Sequence, residues 1–480
     1  MRDHADDPRA LRVQLETEGI SAFDGRFRLV VRDRGMALHL VPEQGWEHAD
    51  LPDIGDIFTT LSGLGLDAEL FSTPRRRGDG WILAEGVPPL DGADGRLEIL
   101  AEDPAPPGTA ANGPAERTDW REPSDLIRNV LQDQPVAVLR KPSPGYAGKN
   151  VFGEPIPARA GRPAKVRLGD GVAAEEDEEG VRVRAARDGH LAWNGSVLSV
   201  ADVFTVPGDV DYATGNLMFV GRRLEIGGDV LPGFRVQCRG DVHVKGLVND
   251  GTVEAVGDVH VDGGVIGEKA EVRAGGDIRV GFAENARLDA GQDLYVRDHL
   301  LQVDCFCRGR LVVVEGKGAI VGGSSLALRG VEAQVIGSAA AVPTLVHVGY
   351  DPKAEETKEH LKDELDGWKL RLMKVKRKIR ELRERNGGAG ALEKAERIEA
   401  MVQQAIREAE ARMDTLNQHF SRCRKARVVI RREVFPNIQV GIYNAWDVNK
   451  VHRSGPCEFF LDDAARVALS AGGEVRPLDG

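Results

Sequence analysis

The sequence predicts a mainly β protein built on a right-handed parallel β-helix, a solenoid in which each turn of chain stacks on the turn before it. Three observations predict it: a short phrase recurs, its apolar positions alternate, and glycine is abundant, at 57 of 480 residues. The phrase appears as LEIGGDVLP, VQCRGDVHV, VEAVGDVHV, VRAGGDIRV, LDAGQDLYV and CFCRGRLVV between Leu224 and Val313. Because one copy cannot bury its own apolar face, stacked copies must supply the core.

The spacing of the copies favours the right-handed form. The aspartates that anchor them are separated by 20, 12, 17, 19 and 16 residues; they are Asp209, Asp229, Asp241, Asp258, Asp277 and Asp293. A strict hexapeptide left-handed helix needs a constant period, whereas a right-handed helix tolerates corner loops of different lengths. We expect the solenoid to span residues 206–350, in roughly eight or nine rungs.

Two smaller modules are predicted ahead of the solenoid. Residues 1–100 alternate strand-like runs such as RFRLVVRD with one helical candidate from Ile54 to Leu66, which indicates an N-terminal α+β module. Residues 101–117 are rich in Pro, Ala and Gly and are expected to form a linker. Residues 118–205 are predicted to be a β-rich second module, with the acidic run from Glu175 to Glu179 at a solvated hairpin tip.

Residues 351–426 are predicted to form an antiparallel coiled-coil hairpin. On the first helix the apolar residues step by four and three, in the order Leu361, Leu365, Trp368, Leu372, Val375, Ile379 and Leu382. The sequence NGGAG ends that helix, and the second is expected to bury Ile398, Val402, Ala405, Ala409, Met413, Leu416 and Phe420. A connection this short joins antiparallel neighbours. Residues 427–480 return to strands, which we expect to cap the solenoid.

Composition argues against several functional classes. A formal net charge of -12 argues against a general nucleic-acid binder. The chain shows neither the apolar run of a signal peptide nor the roughly 18 apolar residues of a membrane span, so we expect a cytoplasmic protein without an integral membrane segment. Five cysteines without disulfide spacing indicate a reducing compartment. We expect Cys238, Cys305 and Cys307 to be small core residues of the repeat.

Several longer phrases give the chain a family resemblance. They are ILAEGVPPLDGADGRLEIL, KPSPGYAGKNVFGEPIPARAG, VFTVPGDVDYATGNLMFVG, GKGAIVGGSSLALRGVEAQVIGS, TLVHVGYDP and VFPNIQVGIYN, in that order along the chain. With them the sequence resembles the flagellar assembly protein A (FapA) family from about Trp81 to Val451. The resemblance implies a cytosolic bacterial protein with a right-handed β-helix, a link to flagellar assembly and to placement at the cell pole, and no known catalytic residues.

The recurring aspartates are predicted to serve the fold. If the repeats stack in register, Asp241, Asp258 and Asp277 form a ladder that accepts backbone N–H groups, while the preceding glycine supplies a positive φ at a corner. A calcium site of the β-roll type is the alternative, but those rolls keep a constant period and this chain replaces one aspartate with Arg310. We therefore predict neither a metal nor a cofactor.

A column of outward side chains is the best candidate for a functional surface on the solenoid. Parity places His243, His260, Arg279 and Tyr295 on the outer side, and stacking aligns them. We expect this column to bind a partner, with an ordinary solvated face as the alternative. A zinc site is not predicted from the two histidines, because the sequence shows no evident third ligand.

The first arm of the hairpin carries a second candidate surface. Nine basic and two acidic residues lie between Lys369 and Arg385, and Lys374, Lys376, Arg377 and Lys378 are its densest part. Alone, this pattern is typical of a site for nucleic acid or anionic lipid. We expect instead that Glu393, Glu396 and Glu399 of the second arm pair with it, and partner binding is the alternative.

Together these features predict a non-enzymatic scaffold that acts through protein partners, flagellar or polar proteins by the family resemblance. Self-association through the coiled coil or the solenoid ends remains open. Two alternatives are kept. One is a polysaccharide-binding or cleaving β-helix, which requires a groove with two or more carboxylates and aromatic residues. The other is an adaptor that binds nucleic acid or anionic membrane through the basic arm.

Overall fold

The computed structural model describes residues 8–47, 49–100, 126–178, 180–384 and 389–477. The predicted linker, residues 101–117, lies outside them. The contacts between residues divide the chain into two units: most of the first 200 residues form one, and the solenoid with its hairpin belongs to the other.

The first unit begins with an antiparallel sheet and two helices. Their bounds are α1 Pro8–Thr17, β1 Ile20–Ala22, β2 Phe27–Arg32, β3 Ala37–Pro42, α2 Ile54–Ser62, β4 Phe71–Arg77 and β5 Gly80–Glu85, with the sheet order β1-β2-β3-β5-β4. The predicted helix is α2, which begins after Asp53 because that side chain accepts the backbone N–H of Gly55 at 2.8 Å. The apolar face of α2 buries Ile57 and Leu61 against the sheet.

Short strands make up the region that follows. Their bounds are β6 Arg96–Ile99, β7 Asn129–Val130, β8 Pro135–Arg140, β9 Gly148–Lys149, β10 Pro155–Ile156, β11 Arg167–Leu168, β12 Val172–Glu176, β13 Gly180–Ala185, β14 Gly189–Trp193 and β15 Val197–Ala201. Strands β12, β13, β8 and β6 are neighbours in one sheet. The acidic run lies at the end of β12, where Asp177 pairs with Arg182 and Glu175 lies 3.7 Å from Arg184.

The solenoid is a parallel β structure of about eight turns, as the repeat predicts. Its strands are β16 Val203–Val206, β17 Leu217–Phe219, β18 Arg223–Ile226, β19 Arg235–Cys238, β20 Asp241–Val244, β21 Val248–Asn249, β22 Thr252–Ala255, β23 Val259–Ile266, β24 Glu271–Ala274, β25 Ile278–Glu284, β26 Arg287–Ala290, β27 Leu294–Val296, β28 His299–Cys307, β29 Arg310–Val313, β30 Ala319–Ala327, β31 Gly330–Ile336 and β32 Thr344–Val348. Alternate residues of these strands are buried, which builds one continuous core. Cys238, Cys305 and Cys307 are buried in it as predicted, and burial raises the pKa of the Cys305 thiol to about 11.

The aspartates form the backbone-capping ladder that the repeat predicts. Oδ1 of Asp241 accepts the backbone N–H of Asp258 at 3.1 Å, and Oδ1 of Asp258 accepts that of Asp277 at 2.8 Å. Two further rungs continue the pattern to Arg310. Arg310 can therefore end the ladder without the loss of a hydrogen bond, because Asp293 requires only the backbone N–H of that residue.

The expectation that the glycines supply a positive φ is wrong for the central Gly-Asp steps. Gly228, Gly240, Gly257 and Gly276 all have ordinary φ values. Space is the constraint instead: a Cβ on Gly276 would lie 2.0 Å from Oδ1 of Asp258, and equivalent contacts arise at Gly228 and Gly257. A side chain at these positions would displace the ladder carboxylate of the preceding rung.

The chain leaves the solenoid after β32 and returns one rung later. The intervening helices are α3 Pro352–Glu384 and α4 Ala389–Cys423, and the last strands are β33 Arg427–Val434, β34 Ile438–Ile442, β35 Ala445–Asn449, β36 Arg453–Ser454, β37 Cys457–Leu461, β38 Val467–Ala471 and β39 Glu474–Pro477. Strand β33 pairs in parallel with β31, and β34 with β32, so both extend the solenoid. Antiparallel pairing of β37 with β33 and of β35 with β34 then covers the open edge.

The hairpin helices pack along one apolar seam, and the stripe predicted for α4 departs from it only at Ile398 and Ala405. The seam buries Leu361 and Leu365 of α3 against Val402, Ile406 and Ala409 of α4. Ile406 occupies the position expected for Ala405, because steps alternating between four and three place 402, 406 and 409 on one face. As a consequence Ile398 and Ala405 move to the flank of the seam, and Ile398 is 43% exposed.

Contacts at its base fix the hairpin to the end of the solenoid. Phe420 and Cys423 pack with Tyr443, whose hydroxyl donates a hydrogen bond to Glu355 at 3.0 Å. Gly349 allows the end of α4 to approach the solenoid closely, since a Cβ at this position would lie 2.1 Å from the Cys423 carbonyl oxygen. Its φ of +71° also favours glycine. The hairpin is therefore anchored by packing as well as by chain continuity.

Candidate functional site

The polar column of the solenoid runs across four neighbouring strands. The strand register pairs His243 with His260, His260 with Arg279, and Arg279 with Tyr295. His260 and Arg279 are exposed, and the other two side chains are partly exposed. The pairing therefore aligns these four residues on the outer face, while their role in binding a partner stays a prediction.

Ladder aspartates hold the lower half of this column in place. Asp277 accepts a hydrogen bond from Arg279 at 2.9 Å, and Asp293 accepts one from the Tyr295 hydroxyl at 3.0 Å, in both cases through Oδ2. The hydrogen bond to Asp293 raises the pKa of Tyr295. The Arg279 guanidinium also lies 5.1 Å from the centre of the Tyr295 ring.

The upper half of the column contains a cluster that the sequence did not reveal. The His243 and His260 rings stack at 4.8 Å with their planes 18° apart, and Asp262 lies 3.1 Å from one Nε2 and 3.2 Å from the other. Partial burial, with the positive charges of neighbouring groups, lowers the pKa of His260 despite this carboxylate. The step VHVD contains the missed signal, since alternation places His260 and Asp262 on the same face.

A shallow groove of 180 Å³ lies beside the lower column, between His260, Asp262, Arg279, Tyr295 and Glu315. It contains two carboxylates, as the polysaccharide alternative requires. Its one aromatic ring, however, already faces Arg279. A sugar would have to displace that guanidinium to stack on Tyr295, so the groove is a poor sugar platform.

Another face of the solenoid has a wider groove of 440 Å³. Asp289, Asp304 and Phe306 line it, and the register pairs Asp289 with Phe306. Arg308 lies 6.0 Å from the Phe306 ring. This groove combines carboxylates and an aromatic ring from neighbouring rungs, the combination expected of a carbohydrate site.

An apolar groove of 490 Å³ lies on the flank of the hairpin. Trp368 and Val375 of α3 and Ile398, Met401 and Val402 of α4 form its walls. Met401 is 72% exposed. Ile398 and Met401 do not enter the seam and lie beside it, where they line the groove. We call this surface the hairpin groove.

The expectation that the second arm neutralises the basic arm is wrong for most of its charges. Of the three acidic residues expected to pair, Glu396 contacts Arg383 at 2.9 Å, whereas Glu393 pairs with Arg397 of its own helix. Glu399 accepts a hydrogen bond from Gln403. Within α3, Arg377 and Lys378 approach Glu381 at 4.0 and 3.5 Å.

Several cations of the basic arm lie away from any carboxylate in the described part of the chain, Lys374 and Lys376 among them. Lys374 and Lys376 make no ion pair with any residue that the structure describes. Lys374 and Arg371 also line the hairpin groove, and Arg371 lies 4.7 Å from the Trp368 ring. The apolar groove thus has a positively charged rim.

Comparison with known proteins gives two family matches. The Flagellar Assembly Protein A beta solenoid domain matches residues 202–465, and the Flagellar Assembly Protein A N-terminal region matches residues 68–195. The first match covers more than half of the chain and includes the column, the solenoid grooves and the hairpin. No curated protein and no solved structure matches the chain. None of the helices in the described ranges has the length and apolarity needed to cross a membrane.

Proposed function

This chain belongs to the Flagellar Assembly Protein A family, and we propose that within it the chain acts as a non-enzymatic scaffold, binding a partner protein in the hairpin groove during flagellar assembly. The observation that carries the proposal is the exposed apolar groove with its positively charged rim. We propose further that the chain acts in the cytoplasm at the cell pole.

The apolar content of the hairpin groove supports a protein partner. Soluble proteins rarely leave large apolar side chains clustered at the surface unless a partner covers them. Met401 and Ile398 are such side chains, and methionine adapts to the shape of what it binds. Trp368 adds a broad, half-buried ring of the type that often dominates binding energy.

The charged rim favours one kind of partner, an amphipathic helix with acidic residues beside its apolar face. Such a helix would place apolar side chains into the groove and carboxylates against Lys374 and Arg371. Lys376, which has no carboxylate of its own, extends the positive field along the arm. Nucleic acid would satisfy these charges but would leave the apolar walls uncovered.

The anchored base of the hairpin is consistent with a scaffold. At about 1.5 Å per residue, the 33 residues of α3 extend roughly 50 Å. The packing of Phe420 against Tyr443 fixes one end, with ring centres 6.0 Å apart. A partner held in the groove would therefore be held at a defined distance from the solenoid.

Photo-crosslinking in the source bacterium tests the proposal. A photoreactive amino acid replaces Met401 in the groove, and in a matched control it replaces Met373, which is 62% exposed and lies outside the groove lining. We expect a protein of the flagellar apparatus to be crosslinked from position 401 and not from 373. Crosslinks to nucleic acid or lipid alone would contradict the proposal and support the adaptor alternative.

A second candidate function, glycan binding, is favoured by the wide solenoid groove with Asp289, Asp304 and Phe306. Carboxylates and an aromatic ring on adjacent rungs are the groups that recognise sugars. Affinity electrophoresis tests it by comparing migration in gels that contain a neutral glycan with migration in gels that contain no polysaccharide. Phe306→Ala is the variant. Retardation of the native chain that this variant abolishes would establish a glycan site, and equal mobility of both proteins would exclude it.

A further inference from the structure

We propose that His243, His260 and Asp262 form a binding site for a divalent transition metal ion of the zinc type on the outer face of the solenoid. This site is separate from the hairpin groove and goes beyond the proposed function. Two imidazoles and one carboxylate are ligands that zinc accepts in proteins, with further positions left for water or a partner's side chain.

Strand register brings the three ligands together. His243 belongs to β20 and His260 to β23, and the two are direct partners in parallel pairing. Their rings stack at 4.8 Å with planes 18° apart, so the two imidazoles point the same way. Asp262 follows His260 by two residues and therefore shares its face of the sheet.

An irregularity in β23 lets Asp262 turn towards both rings. The register with β25 shifts between Val261 and Gly264, so Asp262 lies where regular pairing is interrupted. Bulges of this kind redirect a side chain. The backbone is held there by Arg297, whose Nη2 donates a hydrogen bond to the Asp262 carbonyl oxygen at 3.2 Å.

The ligand atoms lie close enough for small side-chain rotations to bring them around one ion. Two ligand atoms bound to a tetrahedral zinc at about 2.0 Å each are about 3.3 Å apart. The Asp262 carboxylate faces both rings, with Oδ2 at 3.1 Å from Nε2 of His243 and its other oxygen, Oδ1, at 3.2 Å from Nε2 of His260. The three ligand atoms all lie within 4.8 Å of one another. With the ring protons on Nδ1, both Nε2 atoms offer a lone pair to the ion.

Another histidine of the solenoid shows that contact with carboxylates alone does not create such a site. His299 contacts Asp298 through Nδ1 at 2.7 Å and Glu284 through Nε2 at 3.0 Å. These nitrogens lie on different sides of one ring, so a single ion cannot collect both carboxylates and the imidazole. His299 therefore provides a matched control.

Isothermal titration of the whole, tag-free chain with Zn²⁺ tests the site, with Asp262→Asn, His260→Gln and His243→Gln as variants and His299→Gln as control. We expect the native chain and the control to bind one equivalent of Zn²⁺ more than each variant does. If the variants still bind that equivalent, we expect their affinity for it to be at least about tenfold weaker. Titration with Co²⁺ should show a visible absorption band of low coordination number that the three variants lack.

The three variants change exposed or partly exposed side chains, so they should melt at the native temperature in the presence of a chelator. Identical Zn²⁺ stoichiometry and affinity in the native chain and in Asp262→Asn would refute the proposal. So would loss of binding in one of the histidine variants without loss in the other, because a three-ligand site needs both.

Discussion

Asp277 connects to Asp293 of the next rung through a side-chain to backbone hydrogen bond, in which Oδ1 of Asp277 accepts the Asp293 N–H at 3.0 Å. The other oxygen of Asp277 accepts from Arg279 on the outer face. One carboxylate thus joins successive rungs and also positions a column side chain. The same arrangement recurs at Asp293, which binds Arg310 N–H and the Tyr295 hydroxyl.

Removing this carboxylate should weaken the solenoid. Asp277→Ala leaves the Asp293 N–H without its acceptor, and we expect the free energy of unfolding to fall by roughly 1–3 kcal/mol. Asp277→Asn is the control, because its amide oxygen still accepts the backbone hydrogen bond. Urea denaturation followed by circular dichroism measures both. Equal stability of the alanine and asparagine variants would show that the ladder does not contribute as described.

Glycine positions should separate into required and replaceable ones. Gly240→Ala places a Cβ 1.9 Å from the Arg222 carbonyl oxygen, and we expect a loss of about 3 kcal/mol from this backbone clash. Gly367→Ala lies inside α3, where a Cβ would meet no atom within 4 Å beyond the neighbouring backbone of its own helix, and it should stabilise that helix by up to about 1 kcal/mol. Thermal melting of the two variants checks the opposite signs. A native melting temperature for Gly240→Ala would contradict the close packing of the rungs.

Acid should destabilise the end of the solenoid through His347. This side chain is buried, its Nε2 donates a hydrogen bond to the Tyr443 carbonyl oxygen at 2.8 Å, and burial lowers its pKa. Because the unfolded chain takes up a proton more readily, stability is retained above about pH 6.5 and falls as the pH drops below it. We expect His347→Gln, which keeps a donor, to lose less stability between about pH 7.5 and about pH 5.5 than the native chain. Urea midpoints at both pH values measure this loss of stability. An equal loss in His347→Gln and in the native chain would contradict the role of His347.

The basic arm should contribute little to folding. Changing Lys374, Lys376, Arg377 and Lys378 together to Gln removes no ion pair between the two helices among the described residues, so we expect unfolding free energy to change by less than about 1 kcal/mol. Thermal melting at low salt checks it. A loss of several kcal/mol would show that these charges hold the two helices of the hairpin together.

The sequence predicts the solenoid well because its determinants are local and repeated. Alternating apolar positions mark every copy of the repeat, and the Gly-Asp step marks four of the six. The helix seam at Leu361 and Leu365 follows from spacing alone. The stripe of α4 is harder, since Ala405 and Ile406 are both apolar and only packing against α3 selects between them. Because Ile406 enters the seam, Ala405 lies in the lining of the hairpin groove, which the spacing of the apolar residues did not predict.

The cluster of His243, His260 and Asp262 was missed for a different reason. The alignment of the two histidines follows from the repeat, but the approach of Asp262 depends on the irregular pairing after Val261. The spacing of the repeats already varies along the chain, so the sequence does not show where the pairing of a strand becomes irregular. The partners of the basic arm were also mispredicted, because Glu393 pairs within its own helix instead of across the hairpin.

The most direct test of the central claim is flagellation of a deletion strain of the source bacterium that is complemented with single variants. Met401→Glu places a charge in the hairpin groove, and Met373→Glu places the same charge at a similarly exposed position outside its lining. With equal protein levels, we predict that Met401→Glu leaves most cells without a correctly placed flagellum while Met373→Glu restores the native pattern. Normal flagella with Met401→Glu would contradict the claim that the hairpin groove holds a partner in flagellar assembly.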